Sequence, residues 1–162
     1  IEYIEIFHIR IMADIVAREV RSRMMSGIRG KNTRPEIVVR KHLFAAGFRF
    51  RLHRRDLPGV PDIVLPGRRV AIFVHGCFWH RHEGCRYAKL PATRPEFWKA
   101  KLEGNAERDS RATDALLDQG WRVLVVWECA VRDKSTLGDL RDNLARWIHG
   151  KEVHGAIGGE RR

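Results

Sequence analysis

Two short apolar runs separated by a turn stand in the middle of the chain. Residues 63–65 and 70–74 are unbroken runs of apolar side chains, and Pro66, Gly67 and Arg68 lie between them. Runs of this length between turn residues are typical of buried strands, so the pattern predicts a β-hairpin. Asp62 precedes the first strand and His75 ends the second. The neighbouring ends of an antiparallel pair would bring these two residues close together.

The periodicity elsewhere predicts helices around this hairpin. Thr33 and Glu36 have the spacing of a capping box, and the helix that they begin ends at Gly47. Alternation over 48–52 predicts a strand, and the apolar run 121–127 predicts a central strand parallel to a neighbour. Further helices are predicted over 18–31, 91–107, 112–119 and 137–148. The order of elements indicates an α/β fold, with a mixed sheet flanked by helices.

The chain is expected to form one domain over residues 13–150. Its 162 residues, 44% of them hydrophobic, suffice for a single core. Residues 1–12 are expected to be a non-native or disordered extension, since 1–11 alternate apolar and charged residues ahead of Met12. Residues 151–162 are Gly-rich and charged, which predicts a flexible tail. No apolar run approaches the roughly 20 residues of a membrane helix.

Positive charge is concentrated in the N-terminal third of the chain. The formal net charge is +11, with an isoelectric point of about 10.4. Residues 18–55 contain twelve Lys or Arg and only two Glu. Dense positive charge at one end of a domain predicts phosphate contacts and binding of nucleic acid. The alternative is a solvated face that only keeps the protein soluble.

Cysteine and histidine cluster just after the hairpin. Cys77, Cys85 and Cys129 are an odd number, which suits a disulfide framework poorly and a reduced cytoplasmic protein with one metal site better. A structural Zn²⁺ site takes four nitrogen or sulfur ligands. His80 or His82 would be the fourth, and spacing does not separate them. The alternative is a set of buried free thiols.

The remaining polar residues at the hairpin's end suggest a catalytic site. Asp62 could hold Mg²⁺ against a phosphate, while His75 and the histidine that does not bind zinc could move a proton. Together they predict metal-assisted phosphodiester hydrolysis. Taken singly, Asp62 could be a turn acid and His75 a strand-end residue bonded to backbone. Glu36 is either the capping-box acid or a second acid near the Mg²⁺ site.

Large aromatic side chains accompany this cluster. Phe78 and Trp79 follow Cys77 on the loop that the zinc would hold. If they are exposed, they could wedge between base pairs, joined by Trp98. The alternative for these residues is ordinary core packing. The other tryptophans are assigned to the core: Trp121, Trp127 and Trp147.

With these residues the sequence resembles the very-short-patch repair (Vsr) endonuclease family. The matching runs are 57–62 (LPGVPD), 73–80 (FVHGCFWH), 91–98 (PATRPEFW), 105–109 (NAERD) and 120–130 (GWRVLVVWECA). The resemblance implies a compact, restriction-endonuclease-like fold. It also implies a bacterial cytoplasmic enzyme that acts as a monomer on double-stranded DNA. It implies a nick 5′ to the thymine of a T:G mismatch left by deamination of 5-methylcytosine, and a possible link to mismatch-repair proteins.

The resemblance also implies roles for individual residues. Asp62 and the backbone carbonyl of Val74 would bind Mg²⁺, His80 would be the general base and His75 its partner at the phosphate. Glu36 matches a glutamate that supports the metal water. The zinc ligands would be Cys77, His82, Cys85 and Cys129. The residues that intercalate beside the mismatch would be Phe78, Trp79 and Trp98.

The sequence departs from the family pattern at three places. Val74 replaces a Thr, which leaves the carbonyl available. The loop before Cys85 is one residue longer, and Arg54 and Arg55 fall where flanking bases could be read. Two other functions fit parts of the sequence: a zinc-stabilised DNA-binding protein without catalysis, and a restriction-like nuclease with another target.

Overall fold

The computed structural model of the protein describes residues 30–159. The predicted extension at 1–12 and nearly all of the predicted basic helix at 18–31 lie outside the described residues. The elements in chain order are α1 (Arg34–Ala45), β1 (Arg51–Leu52), β2 (Ile63–Leu65), a 3₁₀ turn (Pro66–Arg68), β3 (Val70–His75), a second 3₁₀ turn (Arg86–Ala88), α2 (Pro95–Asp118), β4 (Arg122–Trp127), α3 (Glu128–Arg132), α4 (Lys134–His149) and β5 (His154–Ile157).

The strands form one five-stranded mixed sheet in the order β1-β2-β3-β4-β5. The predicted hairpin is confirmed, since β2 and β3 pair antiparallel with Ile63 opposite Ile72. The predicted parallel strand is also confirmed: β4 pairs with β3 from Val70 opposite Arg122 to His75 opposite Trp127. The long α2 supplies the crossover that a parallel connection requires. Consequently the carboxyl ends of β3 and β4 lie at the same edge of the sheet.

Helices cover both faces of the sheet, as the fold class predicted. Successive side chains on a strand point to opposite faces, so Ile72 and Leu124 pack on one side and Ala71 and Val123 on the other. The first side is covered by α1 and α4 through Val39, Leu43, Leu140 and Leu144. The second side is smaller and includes Leu116 of α2. The central strands are therefore buried on both faces, which explains their unbroken apolar sequences.

Three elements differ from the predictions. The strand expected over 48–52 is restricted to Arg51–Leu52, because Phe48 turns into the core under α1. The two helices expected between 91 and 119 form one continuous helix, Pro95–Asp118. A short helix, Glu128–Arg132, follows β4 directly, where no helix was expected.

The chain after residue 150 also departs from the predicted flexible tail. Residues 154–157 form β5, which pairs in parallel with β4. Small side chains permit this pairing: a Cβ on Gly155 would lie 2.3 Å from Nε1 of Trp147. A four-residue strand with two small residues gives little periodic signal. Within the described range 30–159, no helix combines the length and apolar character needed to cross a membrane.

Candidate active site and metal centre

The loop after β3 winds into consecutive turns that gather its polar side chains. His80 donates its backbone N–H to the carbonyl of Gly76 at 3.1 Å, and His82 donates to Cys77 at 2.9 Å. The first turn brings the side chain of His80 back over His75 at the end of β3. The second brings His82 toward Cys77. His80 and His82 therefore belong to two different clusters of polar side chains, although they lie two positions apart on one loop.

The first cluster consists of Cys77, His82, Cys85 and Cys129, whose ligand atoms all lie within 4.8 Å of one another. Nδ1 of His82 lies 3.5 Å from the sulfur of Cys77 and 3.5 Å from that of Cys129. Three thiols and one imidazole are the donor set of a closed, four-coordinate structural zinc site. The residues present therefore fit a metal ion, and the grouping contains His82 rather than His80.

Hydrogen bonds prepare Cys129 to act as a thiolate. The backbone N–H of Gly159 donates to its sulfur at 3.1 Å. Hydrogen bonding with Cys77, and then with this N–H, outweighs burial and lowers the pKa of Cys129 to about 5. The hydrogen bond with Cys129, and then burial, raise the pKa of Cys77. One thiol of the pair is thus ready to ionise before a metal adds its own charge.

Trp127 lies between the metal cluster and the second cluster. The ring of His82 stacks on it with centroids 4.1 Å apart and an interplanar angle of 3°. The ring of His75 meets its edge at 5.5 Å. The sequence assigned Trp127 to the core. The half-buried indole instead forms a wall shared by the two sites.

The second cluster contains His75, His80 and Asp109. The rings of His75 and His80 are stacked, with centroids 3.9 Å apart and an angle of 4°. Nδ1 of His80 lies 2.6 Å from Oδ2 of Asp109 on α2. A carboxylate accepts at that distance, so the proton of neutral His80 is on Nδ1 and its Nε2 is free to accept a proton.

His75 is the buried member of this pair, with only 7% of its surface exposed. Burial, and then the proximity of His80, lower the pKa of His75 to about 3. Its imidazole is therefore neutral at physiological pH. A neutral ring stacked on His80 places no second positive charge beside that residue.

Asp109 and its neighbour Asn105 were missed as functional residues. Asn105 Nδ2 donates to the carbonyl of Trp79 at 2.9 Å, one helical turn before Asp109 contacts His80. Both residues lie within the run 105–109 that matches the Vsr family. A polar pair at i, i+4 on a helix was the available signal, since such residues share one face.

Asp62 belongs to a third group of ligand atoms, with Glu36 and His53. The Val74 N–H donates to Oδ2 of Asp62 at 2.8 Å. This bond forms because the pairing of β3 with β2 ends at Ile72, leaving Val74 without a strand partner on that side. Burial is the main cause that raises the pKa of Asp62 to about 6. The hairpin thus places Asp62 beside β3, but against Val74 rather than His75.

Glu36 is almost fully buried, at 3% exposure, and its carboxylate is saturated with hydrogen bonds. It accepts from the backbone N–H groups of Asn32 (3.0 Å) and Thr33 (3.2 Å), from the Thr33 hydroxyl (2.9 Å) and from Nη2 of Arg40 (2.7 Å). The predicted capping box is confirmed. A role for Glu36 near a Mg²⁺ ion stays a prediction.

His53 was also missed by the sequence interpretation. Its Nε2 lies 3.1 Å from Nη2 of Arg40 and its Nδ1 lies 3.9 Å from Oδ1 of Asp62. Burial lowers the pKa of His53, so the ring is neutral. A lone histidine between two arginine-rich segments gave no sequence signal for this contact.

Aromatic side chains form a cluster beside the two polar groups. The ring centroids of Phe78 lie 5.1 Å from Trp79 and 5.5 Å from Trp98, and all three side chains are half-buried. Phe97 extends the cluster with 47% of its surface exposed and an edge contact to Trp98. The structure therefore brings together the three predicted intercalating residues.

One cleft joins the catalytic candidates. Its volume is about 840 Å³. It is lined by the cluster that contains His80, by the group that contains Asp62, and by Trp79. Lys31, Lys101 and Arg108 also line it. Positive side chains around carboxylates and a free imidazole suit a polyanion such as a phosphodiester backbone.

Comparison with known proteins identifies the family. Residues 13–86 match the family described as DNA mismatch endonuclease Vsr. The chain is 53% identical over 126 residues to the Type II nicking enzyme V.XorIIP of Xanthomonas oryzae pv. oryzae, covering 78% of this chain and 92% of the relative. It is 44% identical over 148 residues to the DNA mismatch endonuclease Vsr of Escherichia coli, covering 90% of this chain and 94% of the relative.

A third relative is the Type II nicking enzyme V.NmeAIP of Neisseria meningitidis, at 39% identity over 137 residues, covering 85% of this chain and 97% of the relative. The chain belongs to the Vsr family of DNA mismatch endonucleases, and the protein is therefore a DNA endonuclease.

Proposed function

We propose that the protein nicks one strand of duplex DNA 5′ to the thymine of a T:G mismatch and thereby starts very-short-patch repair. The mismatch would arise by deamination of 5-methylcytosine. The observation that carries the proposal is the single cleft in which Asp62 and the His80–Asp109 pair are combined with Trp79. This combination supports hydrolysis next to a position where bases can be unstacked.

Asp62 and the backbone carbonyl of Val74 are proposed to hold Mg²⁺. The Val74 N–H is directed at Asp62, and the N–H and carbonyl of one strand residue point to the same side. Both oxygens thus face the same end of β2. Bound there, Mg²⁺ would offset negative charge that develops on the scissile phosphate. Oxygen ligands are those that Mg²⁺ prefers.

His80 is proposed to be the general base. Its Nε2 would take the proton of the attacking water, and Asp109 would stabilise the imidazolium that forms. His75 is proposed to act beside it at the phosphate, as a neutral ring that fixes the plane of His80 by stacking. Glu36 is proposed to support the metal site from the start of α1.

Cys77, His82, Cys85 and Cys129 are proposed to bind a structural Zn²⁺. The four ligands come from the loop after β3 and from α3, so the ion would fix that loop to the carboxyl end of β4. His80, Phe78 and Trp79 are on the same loop. The zinc would therefore set the position of both the base and the aromatic cluster.

Phe78, Trp79 and Trp98 are proposed to intercalate beside the mismatch. Their edge-to-face packing leaves each side chain half-buried, and Trp79 lines the cleft. Insertion of such rings between base steps unstacks DNA, which is easier at a mismatch. We propose that the enzyme works as a monomer in the bacterial cytoplasm, where its unpaired thiols remain reduced, in concert with mismatch-repair proteins.

A second candidate concerns the DNA sequence around the target. Several relatives are named Type II nicking enzymes, and Arg55 is exposed near the cleft's end of β1. A nuclease directed to another sequence context would use the same cleft. Nicking of duplexes with different flanking bases distinguishes the two candidates.

The test uses pairs of end-labelled duplexes in the presence of Mg²⁺. The two members of a pair differ only at one position, T:G or T:A, and successive pairs carry different flanking bases. We expect a nick only in the T:G duplex, on the T strand and 5′ to that T. Cutting of both duplexes would contradict mismatch specificity. Binding without cutting in every flanking context would leave a non-catalytic DNA-binding protein.

A further inference from the structure

His53 is held opposite Asp62 by the backbone. Its N–H donates to the carbonyl of Asp62 at 3.3 Å, which extends the β1–β2 ladder by one position beyond Leu52 and Ile63. The φ of His53 is 46°, in the left-handed region that few side chains adopt. This backbone conformation places its side chain in the cleft next to the proposed magnesium carboxylate.

Arg40 fixes the proton of His53. Nη2 of Arg40 lies 3.1 Å from Nε2 of His53, and a guanidinium can only donate. Nε2 therefore accepts, and the ring proton is on Nδ1. Arg40 is itself fixed by Glu36 at 2.7 Å and by Oδ1 of Asn32 at 2.8 Å. The result is a chain of contacts that runs from α1 to the Nδ1–H of His53.

The group formed by Glu36, His53 and Asp62 does not need a cation of its own. The guanidinium of Arg40 already contacts both Glu36 and His53. A divalent ion between those two residues would face that positive charge at close range. His53 therefore faces Asp62 with its Nδ1–H, and we do not assign it as a metal ligand.

We propose that His53 is a positioning residue that, with Val74, orients the carboxylate of Asp62 for the catalytic divalent cation. Oδ2 of Asp62 is fixed by the Val74 N–H at 2.8 Å. Oδ1 faces Nδ1 of His53 at 3.9 Å, an electrostatic contact longer than a hydrogen bond. The hydrogen bond on one oxygen and the electrostatic contact on the other restrain rotation of the carboxylate and lower the entropy lost on metal binding. This inference rests on the proposed role of Asp62.

The test compares metal affinity between full-length, zinc-loaded variants, with Mn²⁺ as a spin probe for the magnesium site in electron paramagnetic resonance titrations. For His53→Ala we expect Mn²⁺ affinity to fall about tenfold, the size found for partners of metal ligands. His53→Asn should regain most of that loss. Its amide nitrogen takes the place of Nδ1, and Asn tolerates positive φ. The matched control is His154→Ala, on an exposed position of β5.

A second readout is the Mg²⁺ concentration for half-maximal nicking, which should shift with the Mn²⁺ affinity while DNA binding without metal stays constant. Unchanged Mn²⁺ affinity in His53→Ala would overturn the inference. An equal loss in His53→Ala and His53→Asn would also overturn it, as the effect would then be structural. Asp62→Asn tests the metal site itself: if this variant binds Mn²⁺ as tightly as the wild type, the proposed metal site fails together with the role of His53.

Discussion

His80 and Asp109 approach to 2.6 Å between Nδ1 and Oδ2, which links the loop after β3 to the middle of α2. The two residues are 29 positions apart and come from different elements. A contact of this length holds one tautomer of the imidazole and one orientation of the ring. The free Nε2 then faces the cleft as a proton acceptor.

Replacing Asp109 with Asn should slow nicking by about 10²–10⁴-fold, because the amide no longer holds the required tautomer or stabilises the imidazolium. The measurement is the single-turnover rate of nicking, with the enzyme in saturating excess over the DNA. DNA affinity should stay within about twofold, since no phosphate contact is removed. The control is Asp114→Asn, an exposed carboxylate on the same helix. A wild-type rate for Asp109→Asn would exclude the pair from the chemistry.

Asp62 should make the protein less stable at neutral pH when no divalent cation is bound. Burial raises its pKa from 3.8 to about 6, so the folded state binds this proton more tightly than the unfolded state does. The stabilisation is complete below about pH 4 and is lost as the pH rises through 6. At pH 7 the loss is on the order of 2–3 kcal/mol.

Asp62→Asn should therefore raise the free energy of unfolding at pH 7 by on the order of 2 kcal/mol, and the gain should vanish near pH 4. Its amide oxygen can still accept from Val74. Urea denaturation of zinc-loaded protein at several pH values measures the difference, with the exposed Asp114→Asn as control. If the gain in the free energy of unfolding were the same at every pH, burial of the ionised carboxylate would not be the cause of that gain.

Cys129→Ser should abolish stable zinc binding. The hydroxyl does not supply the thiolate that the site uses, so bound zinc should fall from about one equivalent to near zero. Atomic absorption after dialysis gives the content, and thermal unfolding should show a lower midpoint. Ser135→Ala, on the nearby α4, serves as the control for the region. Full zinc content in Cys129→Ser would remove Cys129 from the ligand set.

Trp98→Ala should weaken binding to a mismatched duplex by about 1–3 kcal/mol, the range for loss of one base–aromatic stack. Binding to a matched duplex should change less, because fewer bases unstack there. Fluorescence anisotropy with T:G and T:A duplexes measures both. Phe44→Ala, an exposed aromatic on α1, is the control. Equal losses on the two duplexes would argue for backbone binding without intercalation.

The sequence predicted those features that depend on local patterns. Unbroken apolar runs were enough to place β2, β3 and β4, and the spacing of Thr33 and Glu36 was enough to place the start of α1. The hairpin itself brought Asp62 to β3. Each of these inferences uses residues within a few positions of one another or one pairing rule.

Contacts between distant segments were beyond such patterns. The meeting of Asp109 with His80 depends on how α2 packs beside the loop, and that of His53 with Asp62 depends on a positive φ. The choice of His82 over His80 for the cysteine cluster depends on the winding of successive turns. β5 pairs with β4 and packs against Trp147, and this close packing requires small side chains such as Gly155. Small side chains give no hydrophobic pattern from which a strand could be predicted.

The hydrogen bond from Gly159 to the sulfur of Cys129 also bears on the order in which the protein matures. Cys77, His82 and Cys85 leave the ribosome well before Cys129, and Gly159 follows after β5. The cluster cannot close until β4 has been added to β3, and its last donor is supplied only when β5 has paired. The complete four-residue cluster therefore requires β4 to be in place, and the sulfur of Cys129 gains its Gly159 donor only in a chain whose β5 has joined the sheet.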